Sequence, residues 1–167
     1  MSSIENQIII RPIQPEDNSA IQFIIQNHLE KVGLDKPGTA YTDPYLGKLY
    51  EFYAAEPKGK YWVAVDKDSN SVIGGVGVAP FGEYEGVAEL QKYYLLNEYQ
   101  NRGIGRLLFE KALSYAQNNN YDSLYIETMD VLDKANHVYE HFGFKKLEKP
   151  LSGSEHGLMN RWFIKNI

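Results

Sequence analysis

The chain has no cysteine, so a disulfide framework, a thiolate metal site and a Cys nucleophile are excluded before any motif is considered. It also lacks a long apolar run. The stretch Ile8-Ile9-Ile10 is far too short for a membrane span or signal core, and no basic segment precedes it, so a cytoplasmic protein is expected. Cationic excess is missing too: 17 Lys and Arg against 22 Asp and Glu leave a formal net charge of −5. Nucleic acid and anionic membrane both need a cationic face, so neither is an expected partner, whereas a cationic small molecule suits an acidic surface. Repeats and low-complexity segments are absent as well, which argues against a solenoid or a disordered chain.

What is present suits one globular domain over residues 1–167, with 43% hydrophobic and 23% charged residues. Residues 7–13 read as a strand. Pro15-Glu16-Asp17 then starts a helix whose Ile21, Ile24, Ile25, Leu29 and Val32 keep helical spacing until Gly33. A loop over 35–44 leads to a short aromatic helix from Tyr45 that ends at Pro57 and Gly59. The runs 61–65 and 72–78, separated by Asp68-Ser69-Asn70, predict a hairpin, and 87–96 the next strand. The longest helical signal covers 103–118, and 123–128 follows as a strand. Asp130 can cap a helix that Gly143 ends in the left-handed position, and 144–147 and 158–164 complete the strands. The pattern is α+β, a mixed and mostly antiparallel sheet of about six to seven strands flanked by about four helices.

The most informative segment is strand, then Gln100-Asn101-Arg102-Gly103-Ile104-Gly105, then helix. A helix N-terminus offers free N–H groups and partial positive charge, and Gly103 and Gly105 let the backbone approach a pyrophosphate closely. A P-loop is ruled out because Gly105 is followed by Arg106-Leu107 rather than Lys-Ser/Thr, and a dinucleotide fingerprint because the third glycine is missing.

Residues 89–99 followed by Gln100 to Gly105 resemble the central acyl-coenzyme A motif, Arg/Gln-x-x-Gly-x-Gly/Ala, of the GNAT superfamily of N-acetyltransferases. The segment Val138-Tyr139-Glu140-His141-Phe142-Gly143-Phe144 is similar to the family's next helix and its Tyr-x-x-x-Gly-Phe ending, and 63–78 to its earlier hairpin. The resemblance implies acetyl-coenzyme A (acetyl-CoA) as acyl donor and direct transfer to an amine in a ternary complex, without a metal. It further implies a cofactor site made by Tyr94, Leu95 and Leu96 on the strand and by Gln100, Asn101, Arg102, Gly103, Ile104, Gly105 and Arg106 at the turn. Where many members carry Asn, seven residues before the Tyr, this chain has Leu132; the nearest Asn, Asn136, is the candidate for that contact.

An alkyl ammonium with a pKa near 10.4 must lose a proton to attack, which at pH 7 costs about 4.6 kcal/mol. Glu89 is the candidate base; strand alternation puts it on one face with Gln91, Tyr93 and Leu95. The family's fourth strand implies that a backbone N–H near Leu95 polarises the thioester carbonyl. Tyr139 is the candidate donor to the departing thiolate. Full transfer from a phenol to a thiolate near 8.5 is uphill by roughly 2 kcal/mol, so hydrogen bonding is its expected role.

Other readings compete. His137-Val138-Tyr139-Glu140-His141 fits the H-x-x-E-H zinc motif, yet helical phase puts Glu140 opposite the apolar stripe and the two His on its flank, a solvated arrangement. A coenzyme-A-binding sensor with a closed acceptor pocket is the non-enzymatic alternative. Glu83, Glu85, Glu89, Asp35, Asp43 and Glu51 hint at a cationic acceptor such as a polyamine, an aminoglycoside or a lysine side chain, and the strand over 158–164 could pair across a homodimer.

Overall fold

The computed structural model describes residues 4–129 and 139–167. In chain order the elements are α1 (Ile4–Gln7), β1 (Ile8–Pro12), α2 (Asn18–Lys31), α3 (Leu49–Ala54), β2 (Lys60–Asp66), β3 (Ser71–Pro80), β4 (Val87–Leu95), α4 (Ile104–Asn118), β5 (Ser123–Thr128), β6 (Lys145–Leu147) and β7 (Arg161–Asn166). Asp17 secures the entry to α2: its carboxylate accepts the Gln14 N–H at 2.8 Å and pairs with Arg11 at 2.7 Å. At the far end, Gly143 at φ +90° closes the helical turn over 139–141. The Phe144 and Gly143 N–H groups donate to the Tyr139 and Glu140 carbonyls, both at 3.0 Å, the paired bonds of a Schellman ending.

Seven strands form one sheet in the order β1-β2-β3-β4-β5-β7-β6. Strand β2 shows the period of two that divides the core: Trp62 and Ala64 join the cluster under α4, while Tyr61, Val63 and Val65 join the cluster under α2 and α3. Burying such a side chain contributes about 1.5 to 3 kcal/mol, so both helical layers are anchored through the same strand.

Two irregularities position the site. Strands β4 and β5 are parallel neighbours only at Val87–Ser123, Ala88–Leu124 and Glu89–Tyr125, and beyond those pairs each continues without the other. Strand β4 also carries a bulge: Gly77 pairs with Gln91 but Gly75 with Tyr94, leaving Lys92 and Tyr93 opposite Val76, with Lys92 at φ +50°.

The bulge corrects the expected alternation. Glu89 and Gln91 share the α2–α3 face, but the extra residue inverts the pattern, so Tyr93 and Leu95 pack into the α4 cluster and Tyr94 into the other. The last strand is corrected too. It spans 161–166 rather than 158–164 and lies between β5, which pairs with all six residues, and β6, which pairs with Trp162 to Ile164.

Candidate active site

A cavity of about 970 Å³ is lined by residues from both faces of the sheet, reaching from Gln100, Gly103 and Tyr139 to Glu89, Tyr45 and His156. It passes the place where β4 and β5 part.

On the α4 side the lining includes the chain at the start of α4, beside Tyr93, Tyr139 and Phe142. Asn101 at φ +63° and Gly103 at φ +85° turn the chain into α4. The first helical donor back is the Leu107 N–H, to the Gly103 carbonyl at 3.2 Å, so the N–H groups of Ile104, Gly105 and Arg106 have no intrahelical acceptor. A Cβ at Gly103 would meet nothing within 4 Å, so its glycine serves the left-handed turn. At Gly105 a Cβ would lie 3.3 Å from the Tyr93 hydroxyl, which donates to the Gly105 carbonyl. The Leu96 N–H goes to the Ile73 carbonyl at 2.9 Å, so Leu95, one residue out of phase, turns its N–H away from β3 toward the opened side. Gln100 Nε2 donates to the Leu95 carbonyl at 3.2 Å and holds this strand end against the turn.

Other residues of the expected cofactor site divide by placement. Ile104 is fully buried and contributes only backbone, Arg102 stands over the Tyr99 ring at 5.2 Å, and Arg106 pairs with Glu110 at 2.9 Å on the exposed helix face. Tyr94 meets the His28 ring edge-on at 5.5 Å, on the α2 side. Asn136 and His137 lie outside the described residues. Glu140 and His141 are exposed, and the described residues hold no group of three or more candidate metal ligands.

On the α2–α3 side the lining is made of side chains. Glu89 is enclosed but keeps part of its surface open to the cavity. Burial pushes its carboxyl up; a bond from Gln91 opposes this and the Glu127 charge adds to it, leaving a pKa of about 7. Buried Lys92 donates to Asp43 at 2.6 Å, and His156 lies 3.0 Å from the same carboxylate. Burial alone would raise Asp43, but His156 and Lys92 outweigh it and hold it below the usual range. Burial would lower His156, yet Asp43 keeps the imidazole above its ordinary value. Glu127 accepts the Tyr125 hydroxyl at 2.8 Å and the Ser154 hydroxyl at 2.9 Å. Tyr45 stacks on Phe52 at 4.0 Å to form an aromatic wall.

Of the acidic residues expected near the acceptor, Glu83, Glu85, Asp35 and Glu51 are exposed, and Asp43 is committed to two cations. Glu127, Lys92 and His156 were not foreseen. The glycines at 74, 75 and 77 were the signal for Lys92, since glycine inside a strand marks a bulge or close approach. No local signal could tie His156 to Asp43, 113 residues away. Tyr139 has its ring in the core against Phe144 and Phe163 and also lines the cavity; burial raises its phenol, which makes full proton transfer still more uphill.

Comparison with known proteins agrees with this geometry. The family model described as Acetyltransferase (GNAT) family matches residues 28–144. The uncharacterized N-acetyltransferase YjgM of Escherichia coli K12 is 33% identical over 151 residues, 89% of this chain and 88% of that protein. A GNAT-family acetyltransferase of Staphylococcus aureus Mu50 has the same fold, with a TM-score of 0.83 at 21% identity over 95% of this chain and 98% of its own. Spermidine N-acetyltransferase of Vibrio cholerae, solved with CoA and spermine, gives 0.70 at 20% identity over 97% and 96%. The seven-stranded sheet that opens between β4 and β5, the glycine turn into α4 and these matches together show that the chain belongs to the GNAT family of N-acetyltransferases, which use acetyl-CoA as donor.

Proposed function

We propose that this N-acetyltransferase acetylates a primary amine that arrives as an ammonium ion, by direct attack in a ternary complex, with Glu89 as base and Tyr139 as donor to the leaving group. The observation that carries the reading is Glu89, a carboxyl with a pKa of about 7 where β4 and β5 part, in a cavity that continues to the N-terminus of α4. A base poised near the operating pH combines a usable ionised fraction with real proton affinity.

The residues present fit the donor. The free N–H groups of Ile104, Gly105 and Arg106, with the turn through Asn101 and Gly103, would hold the pyrophosphate, and Tyr94, Leu95 and Leu96 would flank the arm. When bound, acetyl-CoA supplies the acetyl thioester. Leu95 would offer its N–H to the thioester carbonyl oxygen, Glu89 would take a proton from the attacking amine directly or through one water, and Tyr139 would offer its hydroxyl to the departing sulfur.

Charge pairing supports a cationic acceptor. Lys92 and His156 both spend their charge on Asp43, whereas Glu89 and Glu127 accept from the neutral Gln91, Tyr125 and Ser154. An ammonium beside these two carboxylates relieves their repulsion and lowers Glu89 until the proton is passed. Thiol release from acetyl-CoA across a panel of polyamines, aminoglycosides, lysyl peptides and amino acids tests this. Turnover confined to amino acids, which carry a carboxylate beside the ammonium, would overturn a net-cationic acceptor, and tight acetyl-CoA binding without turnover on any amine would make the protein a sensor.

A further inference from the structure

Two tyrosines cross β3 through a trench of glycines and reach the bulged segment of β4. A Cβ at Gly77 would lie 2.6 Å from the Tyr53 hydroxyl oxygen, and one at Gly75 would lie 2.6 Å from that of Tyr61, so only glycine leaves room for either ring. The Tyr61 hydroxyl donates to the Lys92 carbonyl at 2.7 Å, fixing the bulge, and the Tyr53 hydroxyl donates to Gln91 Oε1 at 2.6 Å. Gln91 Nε2 in turn donates to Glu89 Oε1 at 2.7 Å.

We propose that Tyr53 is a positioning residue for Glu89: by donating to the Gln91 carbonyl it fixes the orientation of that amide, so that Gln91 always presents N–H to one carboxylate oxygen and leaves the other for chemistry. The proposal rests on the reading of Glu89 as the base. A primary amide can turn over, and its two ends differ in sign toward a carboxylate. Tyr53 selects the end, because a buried phenol that stays protonated must donate, and only the amide oxygen can accept. The hydrogen bond from Gln91 then favours the ionised carboxylate against the burial that disfavours it. The groups facing Glu89 from the surrounding elements are Glu127 on β5, His156 in the β6–β7 segment, Lys92 with its partner Asp43, and the phenols of Tyr45, Tyr53 and Tyr125.

The test is Tyr53→Phe, read in two ways. Carbon-13 NMR titration of the Glu89 carboxyl, assigned by its loss in Glu89→Gln, should move upward from the parent midpoint of about 7. A rise of about half a pH unit or more is expected, because the freed amide spends time with its oxygen toward the carboxylate. The acid limb of kcat/KM should move by the same amount, lowering activity near pH 6 by about threefold with acetyl-CoA affinity unchanged. Gln91→Leu should shift the titration in the same direction, and in that background Tyr53→Phe should add nothing, since the hydroxyl acts only through the amide. If Tyr53→Phe does not fold, Gln91→Leu still tests the last bond of the chain. Superimposable titrations for parent and Tyr53→Phe, an undiminished Tyr53→Phe shift in the Gln91→Leu background, or no shift for Gln91→Leu would each overturn the proposal. Failure of the base reading looks different: Glu89→Gln would keep its turnover while the NMR shifts remained.

Discussion

On the α4 side of the sheet the cavity is faced by main chain at the helix start, two residues at positive φ and the outward edge of Leu95, with the Tyr139 and Phe142 rings beside them. On the α2–α3 side it is faced by side chains joined across long sequence separations, 38 residues from Tyr53 to Gln91 and 113 from Asp43 to His156. Backbone donors cannot titrate and are indifferent to most substitutions, so on the proposed reading the first half offers a constant surface to a constant donor. Side-chain networks are each alterable by one residue, which on the same reading lets the second half be matched to a particular amine and makes it sensitive to pH.

The largest effect that separates the halves is expected for Glu89→Gln. Loss of a general base costs about 10² to 10⁴ in kcat, while acetyl-CoA affinity, assigned by the proposed reading to backbone across the sheet, should stay within about twofold. Kinetics beside calorimetry would show the split, and a parallel loss of affinity would mean that the halves are not independent. The same variant carries a stability signature. A folded pKa of about 7 against an ordinary 4.5 means the native state binds a proton that the unfolded chain has lost between those values. Stability therefore falls as pH rises from about 4.5 to about 7, and Glu89→Gln should raise Tm at pH 8 but not at pH 4.

Tyr139→Phe comes next. Ring packing against Phe144 and Phe163 is kept, so Tm should hold, while kcat should fall by about 10² if the hydroxyl attends charge developing on sulfur. A kcat within about threefold, with unchanged single-turnover rates, would return Tyr139 to the core alone.

The glycine turn tests the constant half. Gly105→Val should weaken acetyl-CoA by well over tenfold, because a branched side chain would enter the approach to the helix N-terminus. Gly103→Val is a poorer test, since φ +85° makes it strained whatever binds; Gly103→Asn, which tolerates that conformation, is the better partner. Undiminished affinity in a folded Gly105→Val would remove the pyrophosphate assignment.

These contrasts also explain what the sequence made legible. The α4 half follows from local rules: two glycines, a helix start and the Gly143 ending are written within a few residues of where they act. The hairpin and its two packing faces follow from alternation. That rule broke at Lys92, because a bulge adds a residue without changing composition, and it carried Tyr93 and Leu95 to the wrong face. The last strand was misplaced because an apolar run can begin in a loop: Leu158 is exposed and its N–H meets Gly38. Of the acceptor half, Glu89 was found because it sits on a strand whose motif could be seen, and Asp43 was named as a charge for a cationic acceptor but not as the partner of Lys92 and His156; Glu127 and His156 gain meaning only when β5 and the β6–β7 segment are folded onto β4.

The smallest effect is expected from His156, and it is diagnostic for that reason. Its imidazole keeps about a quarter of its side-chain surface, 23%, and shares Asp43 with a far more buried Lys92. His156→Gln should therefore leave the Lys92–Asp43 pair standing and the fold intact. Two modest changes follow. Removal of a cation that helps hold Glu89 down should raise the acid limb of kcat/KM by a few tenths of a unit, about twofold in rate near pH 6. Loosening the segment that also meets Asp43 and, through Ser154, Glu127 should raise KM for the amine by several-fold, without moving acetyl-CoA affinity. The two readouts come from one substitution and have separate causes: the limb reports the charge of His156, and KM reports its docking. A limb that stays where it was would mean that the imidazole is neutral beside Glu89, and the charge assignment of the Asp43 cluster would fall with it.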